Sequence, residues 1–267
     1  MIKYAIVKQI VPDKAMRFLN PWLLLNAKVF ETCDQVPLDH IIVSYHWPGW
    51  LDPLKSWVDK GGKYIEIEYG YWGDINSKGK TLARRITYNG SFNIHIKTIP
   101  YSRKKLFGNR IGEWKLDRGE YLLIPMPNPD MLYKRRGLTV EQWKLELSTK
   151  IAPYWQGPVK WREKRGGVGV IGGNRQTGFE NELKGCFAVL GERTMACAEA
   201  VMLGYPAYTI DDTIITPLMG KDLSRLSNPI LPDREQWFEH VAWSQFHDEE
   251  FKDGDKVARM VEQYQIC

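Results

Sequence analysis

Short apolar runs alternate with segments of helical spacing in the first quarter of the chain. Residues 2–11 and 40–46 are apolar, β-branched and bounded by polar positions, which is typical of buried strands. Residues 52–60 predict a helix with Asp52 as its N-cap, and residues 64–72 predict the next strand. This strand–helix–strand order predicts a parallel α/β sheet.

A second series with the same alternation follows after residue 115. Its predicted strands are 120–126, the basic segment GPVKWREKRGG, 187–192 and 205–210, and its predicted helices start at the N-cap Thr139 and at 194, with helical tails at 233–247 and 255–265. The sequence therefore predicts an α/β fold of two Rossmann-like parallel-sheet domains that face a cleft. We expect residues 1–115 and 116–267 to be these domains, with the C-terminal helices packing back on the first.

Charge is distributed unevenly between the two predicted domains. The net charge of +5 divides into +8 for residues 1–115, from 18 Lys and Arg against 10 Asp and Glu, and −3 for residues 116–267, from 19 against 22. Residues 75–118 are the most basic stretch, with 11 Lys and Arg against Glu113 and Asp117. This asymmetry predicts a polyanionic partner, such as double-stranded DNA, for the first domain. A solvated basic loop is the alternative interpretation.

The sequence carries no pattern typical of export, membrane insertion or metal binding. The first residues, MIKYAIVKQIVPDK, lack the apolar core and cleavage site of a signal peptide, and no run approaches about 18 apolar residues. The 4 cysteines form no C-x-x-C pair, and the 5 histidines form no H-E-x-x-H motif. We therefore expect a cytoplasmic protein with reduced thiols that requires neither a membrane nor a metal ion.

The segment ERTMACAEAVMLGYPAYT, residues 192–209, has the pattern of a strand end, a polar turn and a slim helix. Backbone N–H groups at a helix N-terminus bind phosphate, while Thr194 adds a hydroxyl and Arg193 a positive charge. Glu199 lies on the second turn, where it can accept hydrogen bonds from a ribose diol. We predict that Glu192, Arg193, Thr194 and Glu199 bind a nucleotide diphosphate and its ribose. The alternative is a capped core helix with one solvated glutamate.

The same segment resembles the nucleotide-sugar site of GT-B glycosyltransferases. The resemblance lies in a small-x-x-E-A-x-x-x-G-x-P helix, carried here by Thr194, Ala198, Glu199, Ala200, Gly204 and Pro206. Two further stretches resemble glycosyltransferases encoded by bacteriophages, namely YIEIEYGYWG with RRITYNGSFN, and LSNPILPDREQWFEHVAWSQFHDEEFKDG. Together the stretches cover residues 60–95 and 183–255.

This resemblance implies a compact GT-B fold and a hexosyl transfer from a nucleotide sugar such as UDP-glucose. It also implies an acceptor hydroxyl on a 5-hydroxymethylpyrimidine, for example 5-hydroxymethylcytosine, in phage DNA within an infected bacterial cytoplasm. In the phage enzymes a basic strand precedes the donor site, which implies that Arg162 and Lys164 neutralise the diphosphate leaving group. The glycine-rich run that follows lacks a complete Walker or Rossmann pattern, and a plain loop is the alternative.

Glycosyl transfer with inversion needs a base beside the acceptor oxygen. Glu68 lies near the end of the strand predicted for 64–72, on the same face as Glu66, and Asp74 and His46 are the other candidates near strand ends. For each of the three, a solvated or structural polar side chain is the alternative. A retaining enzyme can lack a dedicated base altogether.

Two other functions fit the same patterns. A glycosyltransferase with a polysaccharide or small-molecule acceptor would use the same donor site without binding DNA. A non-catalytic DNA-binding module with this fold would bind DNA without transferring a sugar. The sequence predicts neither the sugar nor the oligomeric state.

Overall fold

The computed structural model describes residues 2–11, 13–45, 51–71, 83–88, 95–96, 99, 101–107, 111–117, 119–163, 175–261 and 264–265. Two compact units account for these residues. The first contains the described residues up to Phe107 together with those from Phe238 onward, and the second contains those from Ile111 to Trp237. The sequence predicts one domain boundary, after residue 115. Among the described residues the structure has two unit boundaries, one between Phe107 and Ile111 and one between Trp237 and Phe238.

The strands along the chain are β1 (Lys3–Val7), β2 (Lys28–Phe30), β3 (His40–Tyr45), β4 (Lys63–Tyr69), β5 (Ala83–Tyr88), β6 (His95–Ile96), β7 (Tyr121–Pro125), β8 (Val159–Arg162), β9 (Cys186–Gly191), β10 (Ala207–Thr209), β11 (Gln245–His247) and β12 (Tyr264–Gln265). The helices are α1 (Asn20–Leu24), α2 (Leu51–Asp59), α3 (Pro129–Arg136), α4 (Val140–Ile151), α5 (Arg175–Leu183), α6 (Met195–Met202), α7 (Thr216–Met219), α8 (Glu235–Trp243) and α9 (Gly254–Val261).

The first unit contains a six-stranded sheet in the order β11-β5-β4-β3-β1-β2. Strands β1 to β4 are parallel, and the sequence predicts this for β1, β3 and β4 but predicts no strand at β2. Strand β5 is antiparallel to β4, and β11 is antiparallel to β5, so β11 runs in the same direction as β4. Helix α8 ends at Trp243, before the end predicted at 247, because Gln245–His247 pairs with β5 instead of extending the helix.

The second unit contains a four-stranded sheet, wholly parallel, in the order β10-β9-β7-β8. Helix α4 begins after Thr139, and a capping box with Gln142 satisfies the first backbone donors. Helix α6 packs on β9 and β10, with Thr194 as its N-cap. These two mainly parallel sheets with connecting helices confirm the predicted α/β fold class.

Part of the second phage-like sequence stretch, around Arg234, connects two segments of the second unit, while its residues from Phe238 onward belong to the first unit. Arg234 is buried, donates hydrogen bonds to the carbonyls of Val201 and Gly112, and lies 4.0 Å over the Trp114 ring. The indole Nε1 of Trp114 in turn donates to the Pro232 carbonyl at 2.9 Å. These contacts hold the segment around residue 113 against the carboxyl end of α6.

The backbone of Gly204 lies close to the backbone of Glu113 in the same segment. Gly204 has φ +91°, a left-handed conformation that L side chains rarely adopt. A Cβ there would overlap the carbonyl oxygen of Glu113 and lie 2.9 Å from its carbon. The glycine is therefore required both by its backbone conformation and by the neighbouring chain.

We predict that Gly204→Ala lowers the free energy of unfolding by more than about 2 kcal/mol, because it adds a steric clash to left-handed strain. Gly137→Ala is the matched control, since Gly137 also follows a helix with φ +67° but has no atom near its Cβ position. That control should lose only about 1 kcal/mol. Equal losses for the two variants in urea unfolding would contradict the proposed clash.

A buried ion pair joins the C-terminal segment to the rest of the first unit. Arg103 is fully buried and forms two hydrogen bonds to the Glu250 carboxylate, at 2.7 and 2.8 Å. Its remaining donors reach the carbonyls of Ala242 and Gln245. Burial raises the pKa of Glu250, but the hydrogen bonds and charge of Arg103 outweigh burial, so this pKa is lowered overall.

We predict that Arg103→Met lowers the stability of the first unit by about 3–5 kcal/mol, because it leaves the Glu250 charge buried and unpaired. The double variant Arg103→Met, Glu250→Gln should recover part of the loss in a double-mutant cycle. The lowered pKa of Glu250 contributes stability above about pH 4.3, and this contribution disappears as the pH falls through the folded-state value. Chemical unfolding between pH 3 and pH 7 measures both effects, and additive losses would contradict the pairing.

Candidate functional site

The second-unit sheet changes the direction of its connections between β7 and β9. The chain passes from β7 to β8 on one side and from β9 to β10 on the other, as the strand order requires. With right-handed crossovers, the helices after β7 and β9 lie on opposite faces, so the loops at the carboxyl ends of these strands diverge. Open α/β sheets bind ligands at this point. The turn of residues 192–194, which follows β9, lies at this edge.

The turn after β9 has an unusual backbone. Arg193 adopts φ 47°, a left-handed conformation that is uncommon for residues other than glycine and frequent at functional sites. Gly191 precedes the turn, and a Cβ there would lie 2.7 Å from the Cys197 sulfur and overlap the Thr194 side chain. The strand end, the turn and the first helical residues are therefore packed tightly together.

Thr194 caps the helix and keeps a donor for a ligand. Its hydroxyl oxygen accepts a hydrogen bond from the Ala196 N–H at 3.3 Å. A hydroxyl that accepts one hydrogen bond can still donate its own proton, so Thr194 can serve the helix and an anion together. The positive end of the helix dipole favours an anion at the same place.

Glu199 lies on the more accessible side of α6. It is half-buried, as is Leu203 one turn later, and Met195 one turn earlier is 38% exposed. The opposite side, with Cys197 and Val201, is buried in the core. Because each helical residue rises about 1.5 Å, Glu199 stands about 6 Å along the axis from Met195. Glu199 therefore lies on the same side of α6 as the accessible Met195, and its contact with a ribose stays a prediction.

Glu192 is bound by protein side chains. Its carboxylate accepts hydrogen bonds from the Trp143 indole at 2.6 Å and from Arg136 at 3.0 Å, and its side chain is 9% exposed. Arg136 also forms two hydrogen bonds to Glu146 on α4. The carboxylate therefore anchors the turn to α3 and α4, and its donor-binding role stays a prediction.

Arg162, the last residue of the basic strand β8, contacts side chains of helix α5. Arg162 donates from Nε to the Glu182 carboxylate at 2.5 Å and lies 5.0 Å over the Phe179 ring, both on α5. Its side chain is 21% exposed. Lys164 and the following glycine-rich run lie outside the described residues. The structure therefore gives Arg162 a role in attaching α5, and its contact with a diphosphate stays a prediction.

Glu68, the predicted base that lies among the described residues, belongs to a buried ion pair. Its carboxylate accepts a short hydrogen bond from Arg85, directly opposite on β5. Burial is the largest single effect and lowers the pKa of Arg85, but the charge of Glu68, its hydrogen bond and the neighbouring Tyr71 and Glu66 together outweigh burial, so this pKa is raised overall. Glu68 therefore neutralises a buried guanidinium. Asp74 and His46 lie outside the described residues.

Sequence reasoning missed a second carboxylate at the same edge of the first-unit sheet. Asp248 follows β11 directly and accepts a hydrogen bond from Arg84 at 3.1 Å. Its side chain is 15% exposed, and burial raises its pKa despite the positive charges of Arg84 and Arg17. The available signal was an acidic residue two positions after the W-x-Q-F stretch, but the partner Arg84 lies 164 residues earlier.

The described residues include neither an exposed thiol nor a cluster of side chains that could hold a metal ion. Cys33, Cys186 and Cys197 are buried free thiols, and burial raises their pKa to about 11, 12 and 12, so they are protonated and unreactive at neutral pH. Over the same residues, no group of three or more His, Cys, Asp or Glu is arranged to hold a metal ion. None of the described helices has both the length and the apolar character needed to cross a membrane.

Comparison with known proteins yields matches in structure and none in sequence. No protein-family model matches the chain, and no curated protein sequence matches it. The chain is similar to Thermosulfurimonas dismutans KpsC, beta Kdo 2,7 transferase, at 9% identity and a TM-score of 0.48, over 96% of this chain and 99% of that chain. It is also similar to Thermosulfurimonas dismutans KpsC, beta Kdo 2,4 transferase, at 9% identity and a TM-score of 0.49, over 97% of each chain. Similarity at this level carries no information about substrates or catalytic residues.

Proposed function

We propose that this protein is a glycosyltransferase that moves a sugar from a nucleotide sugar to a hydroxyl acceptor. The turn between β9 and α6 carries this proposal. It combines a left-handed Arg193, a capping hydroxyl on Thr194 and a helix N-terminus at the point where an open α/β sheet binds ligands. A diphosphate leaving group needs this kind of positive, preorganised environment, particularly where no metal ion neutralises it.

In this proposal the second unit binds the donor. Arg193, Thr194 and the first N–H groups of α6 hold the diphosphate, and Glu199 accepts hydrogen bonds from the ribose diol. Lys164 and Arg162 supply further positive charge, as the resemblance to phage enzymes implies. The donor is a UDP-sugar such as UDP-glucose, and the first unit binds the acceptor.

Calorimetry with ligands of increasing size tests the donor site. We predict that Glu199→Gln weakens UDP and UDP-glucose binding by about tenfold or more, because a hydrogen bond to a charged group contributes about 1.5–3 kcal/mol. Pyrophosphate lacks the ribose, so its affinity should not change. Glu141→Gln, an exposed glutamate in the first turn of α4, is the matched control.

Two results would contradict the donor site in different ways. Equal UDP affinity in wild type and Glu199→Gln would remove the ribose contact but leave the diphosphate site. An absence of binding by any nucleotide, nucleotide sugar or pyrophosphate would remove the proposed function itself.

The acceptor is a separate part of the proposal. The resemblance to phage enzymes supports 5-hydroxymethylpyrimidine in DNA, and the net charge of the first half supports a polyanion. Three arginines of the basic stretch, Arg84, Arg85 and Arg103, are buried in ion pairs with Asp248, Glu68 and Glu250 and add nothing to a phosphate-binding surface. That observation favours the second candidate, transfer to a saccharide or small-molecule hydroxyl.

Product mass and salt dependence separate the two acceptors. With a DNA acceptor, hydroxymethylated duplex incubated with a panel of nucleotide sugars gains one hexose per modified nucleoside, and log K for duplex binding falls linearly with log salt concentration. With a saccharide acceptor, the mass gain occurs on oligosaccharides and duplex affinity is flat against salt. DNA binding without any mass gain would indicate a non-catalytic DNA-binding module.

A further inference from the structure

Arg136, the last residue of helix α3, is bonded to the turn between β9 and α6. Its Nη1 donates a hydrogen bond to the Glu192 carboxylate at 3.0 Å, and its Nη2 donates to both carboxylate oxygens of Glu146 at 2.9 and 2.7 Å. Glu192 directly precedes Arg193, whose left-handed backbone forms the turn. All four residues belong to the second unit.

Two donors hold the Glu192 carboxylate in place beside this turn. Its Oε2 accepts hydrogen bonds from both Arg136 and the Trp143 indole, the latter at 2.6 Å. Trp143 is fully buried, and its ring packs edge to face on Trp161 of β8 at 5.7 Å. The position of the carboxylate relative to the turn is therefore set by α3 and by the packed indole of α4.

The charge of Glu192 opposes the binding of an anion at the turn. A diphosphate held by Arg193 and Thr194 would lie next to this carboxylate in the chain, and nearby like charges repel. The Glu192 side chain is only 9% exposed, so water and salt screen its charge poorly. A site for a diphosphate at this turn therefore needs a positive charge that compensates Glu192.

Arg136 supplies that compensation without being consumed by its other partner. Glu146 has a second cation, Lys150, at 2.8 Å on the next turn of α4. The positive charges of Arg136 and Lys150 together balance the negative charges of Glu146 and Glu192. The charge of Arg193 and the positive end of the α6 dipole thus remain available to a diphosphate.

The contact with Glu192 distinguishes Arg136 from the other basic residues of its helix. The last turn of α3 contains Lys134, Arg135 and Arg136, and the helix dipole favours cations at all three positions. A guanidinium is planar and presents several N–H donors, so one arginine can bind two carboxylates at once. Arg136 does this with Glu192 and Glu146.

We propose that Arg136 is a positioning residue of the donor site, because it neutralises Glu192 and thereby allows the adjacent turn to bind a diphosphate. This inference rests on the proposed function. Arg136 acts through Glu192 and does not itself contact the diphosphate.

Calorimetry with inorganic pyrophosphate tests the role of Arg136. We expect Arg136→Met to weaken pyrophosphate binding by about tenfold or more, because it leaves the Glu192 charge uncompensated. Arg136→Lys keeps the positive charge and should recover most of the affinity. The control Lys184→Met removes an exposed positive charge near the start of β9, about 20 Å along the strand from the turn, and should stay within about twofold of wild type.

A double variant separates charge compensation from a merely structural role. Glu192→Gln removes the charge but keeps an oxygen that accepts the hydrogen bond from Trp143. Added to Arg136→Met, it should restore pyrophosphate affinity by about fivefold or more, whereas the loss of a structural contact would not be repaired by a second loss. A folded Arg136→Met protein with wild-type affinity, or a double variant without any recovery, would overturn the proposal.

The single variant Glu192→Gln provides a test that does not depend on how Arg136→Met folds. It should bind pyrophosphate at least as tightly as wild type, since it removes a negative charge beside the site. A tenfold loss of affinity in this variant would overturn the proposal. Failure of the proposed function has a different signature, because wild type itself would then bind neither pyrophosphate nor any nucleotide, and the role of Arg136 would fail with it.

Discussion

The buried ion pair between Arg103 and Glu250 attaches the C-terminal segment to the rest of the first unit. Arg103 comes from the middle of the chain and Glu250 from near its end, and their hydrogen bonds cross a sequence distance of 147 residues. Arg103 also binds the carbonyls of Ala242 and Gln245, so it fixes the end of α8 and the start of β11. Strand β11 is held in register by this contact together with its pairing to β5, the buried Phe246 side chain, and the hydrogen bond from the Tyr71 N–H to Gln245. The position of Asp248 next to Arg84 depends on that register.

Arg84 and Arg85 are adjacent on strand β5, and their side chains lie on opposite faces of the sheet. Successive side chains of a strand alternate, so Arg84 joins Tyr69 and Asp248 on one face while Arg85 joins Glu68 and Tyr71 on the other. Each buried guanidinium is paired with a carboxylate, and removal of either partner would leave a charge in a poorly solvated place. The sequence shows a basic stretch here, but much of its charge is used inside the protein.

Local patterns predicted the second unit better than the first. Thr139 and Thr194 cap their helices as expected, since a cap depends on residues two or three positions away. Strand β11 was mistaken for the end of a helix because its register is set by β5, far away in the sequence. The candidate site residues show the same contrast between local and distant interactions. The turn at Arg193 and Thr194 is local and was predicted, whereas the pairing of Asp248 with Arg84 is visible only once the sheet is assembled.

The division of the chain into units also affects how it folds during synthesis. Among the residues that the structure describes, the second unit is formed by one stretch, from Ile111 to Trp237, whereas the first needs residues from Phe238 onward. On the ribosome, strands β1 to β5 therefore emerge before β11, and the edge of β5 that pairs with β11 is open during this interval. Unpaired sheet edges promote aggregation, so a delay in the synthesis of β11 exposes the first unit to misassembly.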